Sequence, residues 1–475
     1  MSSDYKVTIL QKERGKAIAP NFHLQVSLSI VHFLGTWPPR TGKYRFLYLL
    51  YTTGIFTLML GIFLVTEIAN MLVNLGDTAK IVAGATLLMT NCIHASKVIV
   101  LLRHQARIQA LLDKANSHAF HRQDEAHQDL LTSYTWKGLF HHAAYQSFGA
   151  TAVFCWGFTP IADLIAGRSR RLPMEGWYPY NVTGTPAFEI TAGHQGVAII
   201  IACFHNVAMD TLITGLITVA CCQLAILERN ISAIDDEKSG MNNFKGEVTQ
   251  ETCPPYQRLK WSIRLLISRI RSFVREIQDI FGTVIFLQFL SNCVIICLIA
   301  FNVSQMKEYI PAVLIGMLTY MCCMTYQIFI FCWHGNELHL HSLRIATAAY
   351  SSKWFSETGR FKRGLLIIMT RAHRPFILTA GNIMLLSLDT FVQVRRKNRG
   401  CTTAAIFTVP SLDIIVDISY PNLKIKLTIF RPWIIQNARS EETSKYLRDE
   451  ANNFRVFQIL RTSYSIFTVL QSSAA

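Results

Sequence analysis

The feature that most constrains this chain is a series of apolar segments, each long enough to cross a lipid bilayer. About 20 apolar residues span the hydrocarbon core as an α-helix. Only 16% of the 475 residues are charged, against about 25% in soluble domains. The sequence therefore predicts an all-α membrane protein. Six uninterrupted spans are predicted at residues 46–66, 81–102, 138–162, 196–220, 280–303 and 310–332.

A seventh apolar segment is divided into two parts. The first part covers residues 375–393 and stops at a basic stretch, 394–397, and the second covers 459–470. A spanning helix must satisfy its backbone polar groups internally, so the residues between the two parts obstruct it. We predict seven transmembrane helices, with the last one interrupted by residues 394–458.

The interposed segment 394–458 has the properties of a translated, unspliced intron. Val394-Arg395 can be encoded by GTA-AGA, which fits a splice donor, and Phe457-Gln458 by TTT-CAG, which fits an acceptor. Three prolines interrupt any helix within it, and the alternation over 423–429 is typical of a strand. We predict a retained intron, and the alternative is a genuine additional domain.

The distribution of Lys and Arg predicts the orientation of the spans. These residues concentrate in the N-terminal arm and in the stretches 103–137, 229–275 and 353–374, which all fall on one side. The positive-inside rule puts that side, and the N-terminus, in the cytoplasm. The opposite side carries Asn181-Val182-Thr183, so Asn181 is a predicted glycosylation site.

This orientation and the missing motifs weigh against other functions. A G-protein-coupled receptor, the alternative to keep, has its N-terminus outside and typically a cysteine in the outer loop, and 167–194 has none. No phosphate-binding Gly loop, H-E-x-x-H or G-x-S-x-G is present. We predict no enzyme activity, no cofactor and no metal. The net charge of +16 lies in loops between apolar runs, which predicts contact with membrane lipid and no nucleic-acid partner.

A basic helical segment precedes the fifth span. Apolar residues recur in steps of four and three, and the pattern continues into the span. Two interpretations stay open: a helix lying on anionic lipid, or a cytoplasmic bundle against the continuations of helices four and six at a subunit contact. The recurring apolar residues are Leu259, Ile263, Leu266, Ile270, Phe273 and Ile277.

Four ordered motifs in the second half of the chain resemble those of the insect odorant receptor family. They are Q-x-x-x-x-C-x-x-G-N-E at 327–337, Y-x-x-x-W-F at 350–355, R-P-x-x-L-T-A-G at 374–381 and S-Y-S-x-F-T-x-L at 463–470. Trp177-Tyr178-Pro179 and the Asp210 position are also similar to the family. In that family, the segment ending here at Phe391 continues directly into the one beginning at Ile459, which fits an insertion between them.

The resemblance implies a subunit of an odorant-gated, non-selective cation channel in the plasma membrane of olfactory sensory neurons. An odorant-binding subunit of this kind assembles with a shared co-receptor into a hetero-tetramer. The last helix of each subunit lines the pore, and helices two, three, four and six enclose a pocket for a small volatile ligand. The cytoplasmic ends of helices four to seven form an anchor that holds the subunits together.

These implications lead to candidate residues. Core packing is the alternative for each pocket residue, and inter-helix packing for each pore residue. The two charges inside the spans, Lys97 and Asp210, are predicted to avoid lipid, with Asp210 in a structural polar cluster. The ligand-binding candidates are Asn91, His94, Tyr145, Phe148, Phe154 and Trp156. The pore candidates are Thr379, Gln393, Phe467 and Leu470.

The resulting plan has five parts. Residues 1–45 form a cytoplasmic arm, and 46–232 hold helices one to four with the ligand pocket. Residues 256–393 hold the anchor helices, spans five and six and the first part of span seven. Residues 394–458 are the non-native insertion, and 459–475 complete the seventh helix.

Overall fold

The structure is a computed structural model, and the part of the chain that it describes is almost entirely helical. Within that part, six helices are long and apolar enough to cross a membrane, and they confirm the six uninterrupted spans. The described residues are 19–39, 44–117, 127–165, 167, 171–232, 255–304, 311–352, 359–372, 374–388, 390–391, 413–416 and 425–428.

The N-terminal elements include the first span. The short helix α1 (Phe22–Phe33) precedes α2 (Arg45–Ile55), which continues through a π-helical turn (Phe56–Gly61) into α3 (Ile62–Val73). Helix α1 packs against a later helix at Gly215, whose carbonyl oxygen lies 3.3 Å from His23 Nε2. A Cβ at Gly215 would lie 2.7 Å from Leu24 Cδ2, so the lack of a side chain at this position favours the close approach of α1.

Four helices form the middle of the chain, and one of them is central. They are α4 (Thr78–Arg103), α5 (Gln105–Ala115), α6 (Gln128–Ile165) and α7 (Ala187–Ser232). In the apolar window of α7, 94% of the residues are buried, compared with 17% in that of α6. Helix α7 is therefore surrounded by protein, whereas α6 keeps much of its apolar surface free for lipid.

The basic segment before span five is part of one long helix, α8 (Pro255–Ser304), as the periodicity predicts. Ile270, Phe273 and Ile277 of its seam are buried in the main hydrophobic cluster, together with residues of α7 and of the next helix. Two further helices follow, α9 (Pro311–Ser351) and α10 (Gly359–Ala372). For these three residues the packing favours the helical-bundle interpretation over a helix lying on lipid, whereas the side chains of Leu259, Ile263 and Leu266 lie outside the described part of the chain.

The prediction of a helix over residues 375–393 is wrong for its first part. The chain forms a short antiparallel hairpin of β1 (Thr379–Ala380) and β2 (Met384–Leu385). Gly381 and Asn382 have φ values of 60° and 57°, a left-handed turn that glycine and asparagine adopt readily. The pore candidate Thr379 therefore lies in a hairpin rather than in a helix.

Helix α8 supports this hairpin through backbone-like hydrogen bonds. The Gln278 side chain accepts from Thr379 N at 2.9 Å and donates to Thr379 O at 2.6 Å. Gly381 N donates to Gly282 O at 2.8 Å. These bonds provide partners for hairpin backbone groups that would otherwise need a helix to satisfy them. The apolar content of the segment alone therefore predicts a helix where a hairpin forms.

Two strands are described inside the insertion. Strand β3 (Asp413–Val416) pairs antiparallel with β4 (Ile425–Thr428), with Asp413 opposite Thr428. The strand predicted over 423–429 is confirmed. The other pore candidates, Gln393, Phe467 and Leu470, lie outside the described residues, as does the second part of the seventh span.

Candidate ligand cavity

A partly open cavity of about 70 Å³ lies among five helices, α3, α4, α6, α7 and α9. Helix α6 supplies Tyr145, Gly149, Val153 and Trp156, which recur in steps of four and three and so share one helical face. A single strip of α6 therefore forms one wall. The remaining lining includes Phe63, Leu87, Thr90, Asn91, His94, Ile199, Cys203, Asn206, Tyr320 and Met324.

Aromatic rings give the cavity its apolar character. The rings of Trp156 and Tyr320 meet edge to face, with centroids 4.9 Å apart. Tyr145 is almost completely buried, at 1% exposure. Apolar and aromatic walls with a few placed polar groups are typical of small-molecule sites.

A pair of hydroxyls provides one polar group on the wall. Thr90 Oγ1 lies 2.5 Å from the Tyr320 hydroxyl and also donates to Thr86 O at 3.0 Å. A threonine hydroxyl has one proton, so Tyr320 donates to Thr90. The Tyr320 oxygen then keeps acceptor capacity toward the cavity.

Two further polar wall residues are engaged within the protein. The Asn91 side-chain amide donates to both carboxylate oxygens of Glu67, at 2.9 and 3.0 Å. His94 Nε2 lies 2.7 Å from His205 Nδ1, and His205 Nε2 lies 2.6 Å from Thr36 Oγ1. Buried polar groups need such partners, and these contacts hold both side chains in place.

The two charges within the spans form a buried ion pair beside the cavity, which confirms that neither faces lipid. Lys97 Nζ lies 2.6 Å from Asp210 Oδ1 and 2.9 Å from Asn206 Oδ1. The other Asp210 oxygen accepts from the Tyr145 hydroxyl at 3.2 Å and from the Gln327 side-chain amide. Asp210 thus belongs to a structural polar cluster, as predicted.

Gln327 extends this cluster to α8. Its Oε1 accepts from Asn292 Nδ2 at 2.8 Å and from Gln288 Nε2 at 3.1 Å. These two α8 residues are not among those predicted from the sequence. The available signal was an amide pair four residues apart inside an otherwise apolar span, where polar side chains face a helix partner.

The α6–α7 loop covers one end of the cavity. Gln195, which is fully buried, bonds both backbone groups of Met174 at 3.1 and 3.2 Å and the Tyr178 hydroxyl at 3.0 Å. Met174 packs in a small cluster with the cavity residues Phe63 and Ile199. Burial raises the pKa values of the Tyr178 hydroxyl and of the Glu175 carboxyl in this loop.

The structure brings four of the six ligand-binding candidates together. Asn91, His94, Tyr145 and Trp156 all line the cavity. Phe154 points away, is 69% exposed and lies on a separate groove. Phe148 packs on the Tyr326 ring at 5.5 Å between centroids. Asn181 is exposed in the α6–α7 loop, where its glycosylation stays a prediction.

Six described helical spans with a largely apolar cavity among them define a multi-pass membrane protein with a candidate small-molecule site. The sequence pattern of a family described as 7tm Odorant receptor matches residues 77–397. Odorant receptor Or1 of Anopheles gambiae is 26% identical over 396 residues, covering 79% of this chain and 92% of the relative. Odorant receptor 46a, isoform A, of Drosophila melanogaster is 22% identical, covering 73% and 87%.

Solved structures share the fold. The olfactory receptor OR5 from Machilis hrabei, in complex with eugenol, is 17% identical with a TM-score of 0.66, covering 78% of this chain and 93% of that one. The chain belongs to the insect odorant receptor family. It is accordingly an odorant-gated channel subunit and not an enzyme, and the G-protein-coupled receptor alternative is set aside.

Proposed function

We propose that this cavity is the odorant-binding site of the subunit. The observation that carries the proposal is the convergence of Tyr145, Trp156 and Tyr320 on one space among five helices. Asn91 and His94 complete the wall as positioned polar groups. Phe148 and Phe154 are proposed to act indirectly, by packing around the site.

The ligand class follows from the acceptor on Tyr320. With the Thr90 proton engaged by Thr86 O, the Tyr320 oxygen is free to accept a hydrogen bond. A volatile molecule with a hydroxyl group and an apolar body satisfies both parts of the wall. Eugenol, bound by the Machilis hrabei receptor, has this chemistry and is a suitable first probe for the chain.

Binding is proposed to reach the channel through Asp210. A ligand that displaces the Tyr145 hydroxyl removes one hydrogen-bond donor from Asp210 Oδ2. The same oxygen also accepts from the Gln327 side-chain amide. Gln327 connects onward to Asn292 of α8. The path runs from α6 through α7 and α9 to α8, and each link is a buried hydrogen bond whose loss costs about 1–3 kcal/mol.

The proposed assembly has the plan stated from the sequence. The N-terminal arm is cytoplasmic, seven spans cross the plasma membrane of an olfactory sensory neuron, and the subunit joins the co-receptor in a hetero-tetramer. Gln393, Phe467 and Leu470 are proposed pore residues, whereas Thr379, held by Gln278, is proposed to support the cytoplasmic base of the pore. An N-terminal tag that stains intact cells would contradict this orientation.

The segment 394–458 is proposed to be a retained intron. The family match ends at residue 397, three residues past the proposed junction at Val394, which supports the boundary. Transcript sequencing across the junction tests the proposal. Reads that keep the segment as the dominant form would favour a genuine additional domain.

Eugenol binding to the full-length chain in lipid nanodiscs tests the cavity. Trp156→Ala is expected to weaken eugenol binding at least tenfold through lost aromatic contact. Tyr320→Phe is expected to weaken it about fivefold, because only the hydroxyl acceptor is removed. Phe140→Ala, on the exposed outside of α6, is the matched control and is expected to change nothing. Unaltered binding in both cavity variants would contradict the site.

A further inference from the structure

The cavity is small for the ligands proposed to occupy it. Its volume is about 70 Å³, whereas an apolar cavity of about 150 Å³ holds a benzene molecule. By that scale the cavity accommodates roughly three non-hydrogen atoms. A larger ligand must use additional space next to the cavity.

A groove of about 420 Å³ lies directly beside it, between α6 and α7. The groove is open to the side that faces lipid, since Phe154, Ile161 and Ile200 are 69%, 50% and 48% exposed. All of its lining side chains are apolar or small.

The wall between the two spaces is thin. Val153, Ile199 and Cys203 line both the cavity and the groove. Cys203 occupies its position because α6 has glycine opposite it: a Cβ at Gly149 would lie 2.7 Å from Cys203 Sγ. These three side chains are therefore the part of the wall that separates the cavity from the groove.

We propose that the ligand site continues through this wall, so that the chain takes a straight-chain aliphatic molecule with its hydroxyl head in the cavity and its tail in the groove. The inference rests on the proposed function of the cavity and extends it. The tail lies against acyl chains on the open side, so it is shielded from water along its whole length. Affinity therefore rises with chain length beyond the capacity of the cavity.

A homologous series of alcohols, from ethanol to 1-octanol, tests the inference on the full-length chain in lipid nanodiscs. Affinity is measured from the concentration dependence of thermal stabilisation. Each buried methylene is expected to raise affinity roughly fourfold. In the unmodified chain this increase is expected to continue through the whole series.

Two glycines allow the groove to be filled without disturbing the fold. A Cβ at Gly157 or Gly196 meets no atom within 4 Å, so a leucine at either position extends into the groove. Gly157→Leu and Gly196→Leu are expected to leave the affinity for ethanol unchanged. In both variants the affinity is expected to stop rising with chain length for the longer alcohols. If two methylene groups of 1-octanol lose their place in the groove, its affinity is expected to fall roughly sixteenfold. Cys203→Ala, which removes a sulfur atom from the wall, is expected to raise the affinity for 1-octanol.

Gly54→Leu is the matched control, since Gly54 is exposed on α2 and a Cβ there also meets no atom within 4 Å. The Gly54→Leu variant is expected to have the same affinity as the unmodified chain for every alcohol in the series. Coincident length dependence in the unmodified chain and in both groove variants would overturn the inference and leave the cavity intact. An absence of stabilisation by every alcohol would overturn the cavity itself, and the extension with it.

Discussion

Breaking the buried ion pair between Lys97 and Asp210 tests the structural centre of this receptor. Both side chains are at most 3% exposed, and Lys97 Nζ lies 2.6 Å from Asp210 Oδ1. Removing one partner of a buried pair leaves an uncompensated charge and costs about 3–5 kcal/mol. We expect Lys97→Met and Asp210→Asn each to lower the free energy of unfolding by that amount.

The double variant separates pairing from simple loss of contacts. With both charges removed, no isolated charge remains, and Asn at position 210 can still accept from Tyr145. We therefore expect the double variant to be more stable than the sum of the single effects implies, with a coupling energy of about 2–3 kcal/mol. Denaturant unfolding of the full-length chain in mixed micelles measures all four proteins.

An exposed pair provides the control. Arg107 and Glu276 lie 2.7 Å apart, but their side chains are 42% and 27% exposed. The same cycle with Arg107→Ala and Glu276→Ala is expected to give a coupling of at most about 1 kcal/mol, because solvent screens the pair. Equal coupling in both cycles, or additive effects at Lys97 and Asp210, would refute the reasoning from burial.

Three further results are expected. Gly215→Ala forces a Cβ to 2.7 Å from Leu24 Cδ2 and should lower the free energy of unfolding by about 1–3 kcal/mol; an unchanged value would show that α1 is not packed there. Gln195→Leu removes both hydrogen bonds to the Met174 backbone, so amide hydrogen exchange in the α6–α7 loop should accelerate roughly tenfold. Equal exchange rates in the variant and the unmodified chain would show that these bonds do not hold the loop. Asn181→Gln should increase gel mobility in glycosylating cells, and unchanged mobility would show that Asn181 carries no glycan.

The six uninterrupted spans could be predicted because length and apolar content alone decide membrane insertion. The positions of Lys97 and Asp210 followed from the same physics, since a charge within a span is excluded from lipid. The identity of their partners did not follow. Gln327 meets Asp210, and Asn292 meets Gln327, only through the packing of α7, α8 and α9, and no local pattern in the sequence encodes those contacts.

The hairpin at 379–385 shows where counting apolar residues fails. The stretch is apolar enough for a helix, but Gly381-Asn382 favours a turn and Gln278 supplies substitute backbone partners. Only part of the candidate site could be predicted, because its residues come from several helices. The face of α6 gave Tyr145 and Trp156, whereas Tyr320 and Cys203 come from other helices and enter the cavity only in the folded bundle.

The most direct test of an odorant-gated subunit is the current evoked by eugenol in cells that co-express the chain with the co-receptor. The measurement is made on the chain as written and on a variant without residues 394–458. We expect current only in the shortened variant, because removal joins Phe391 to the motif at 463–470 in one continuous pore helix. Equal currents from both forms would contradict the proposed pore and the origin assigned to the insertion.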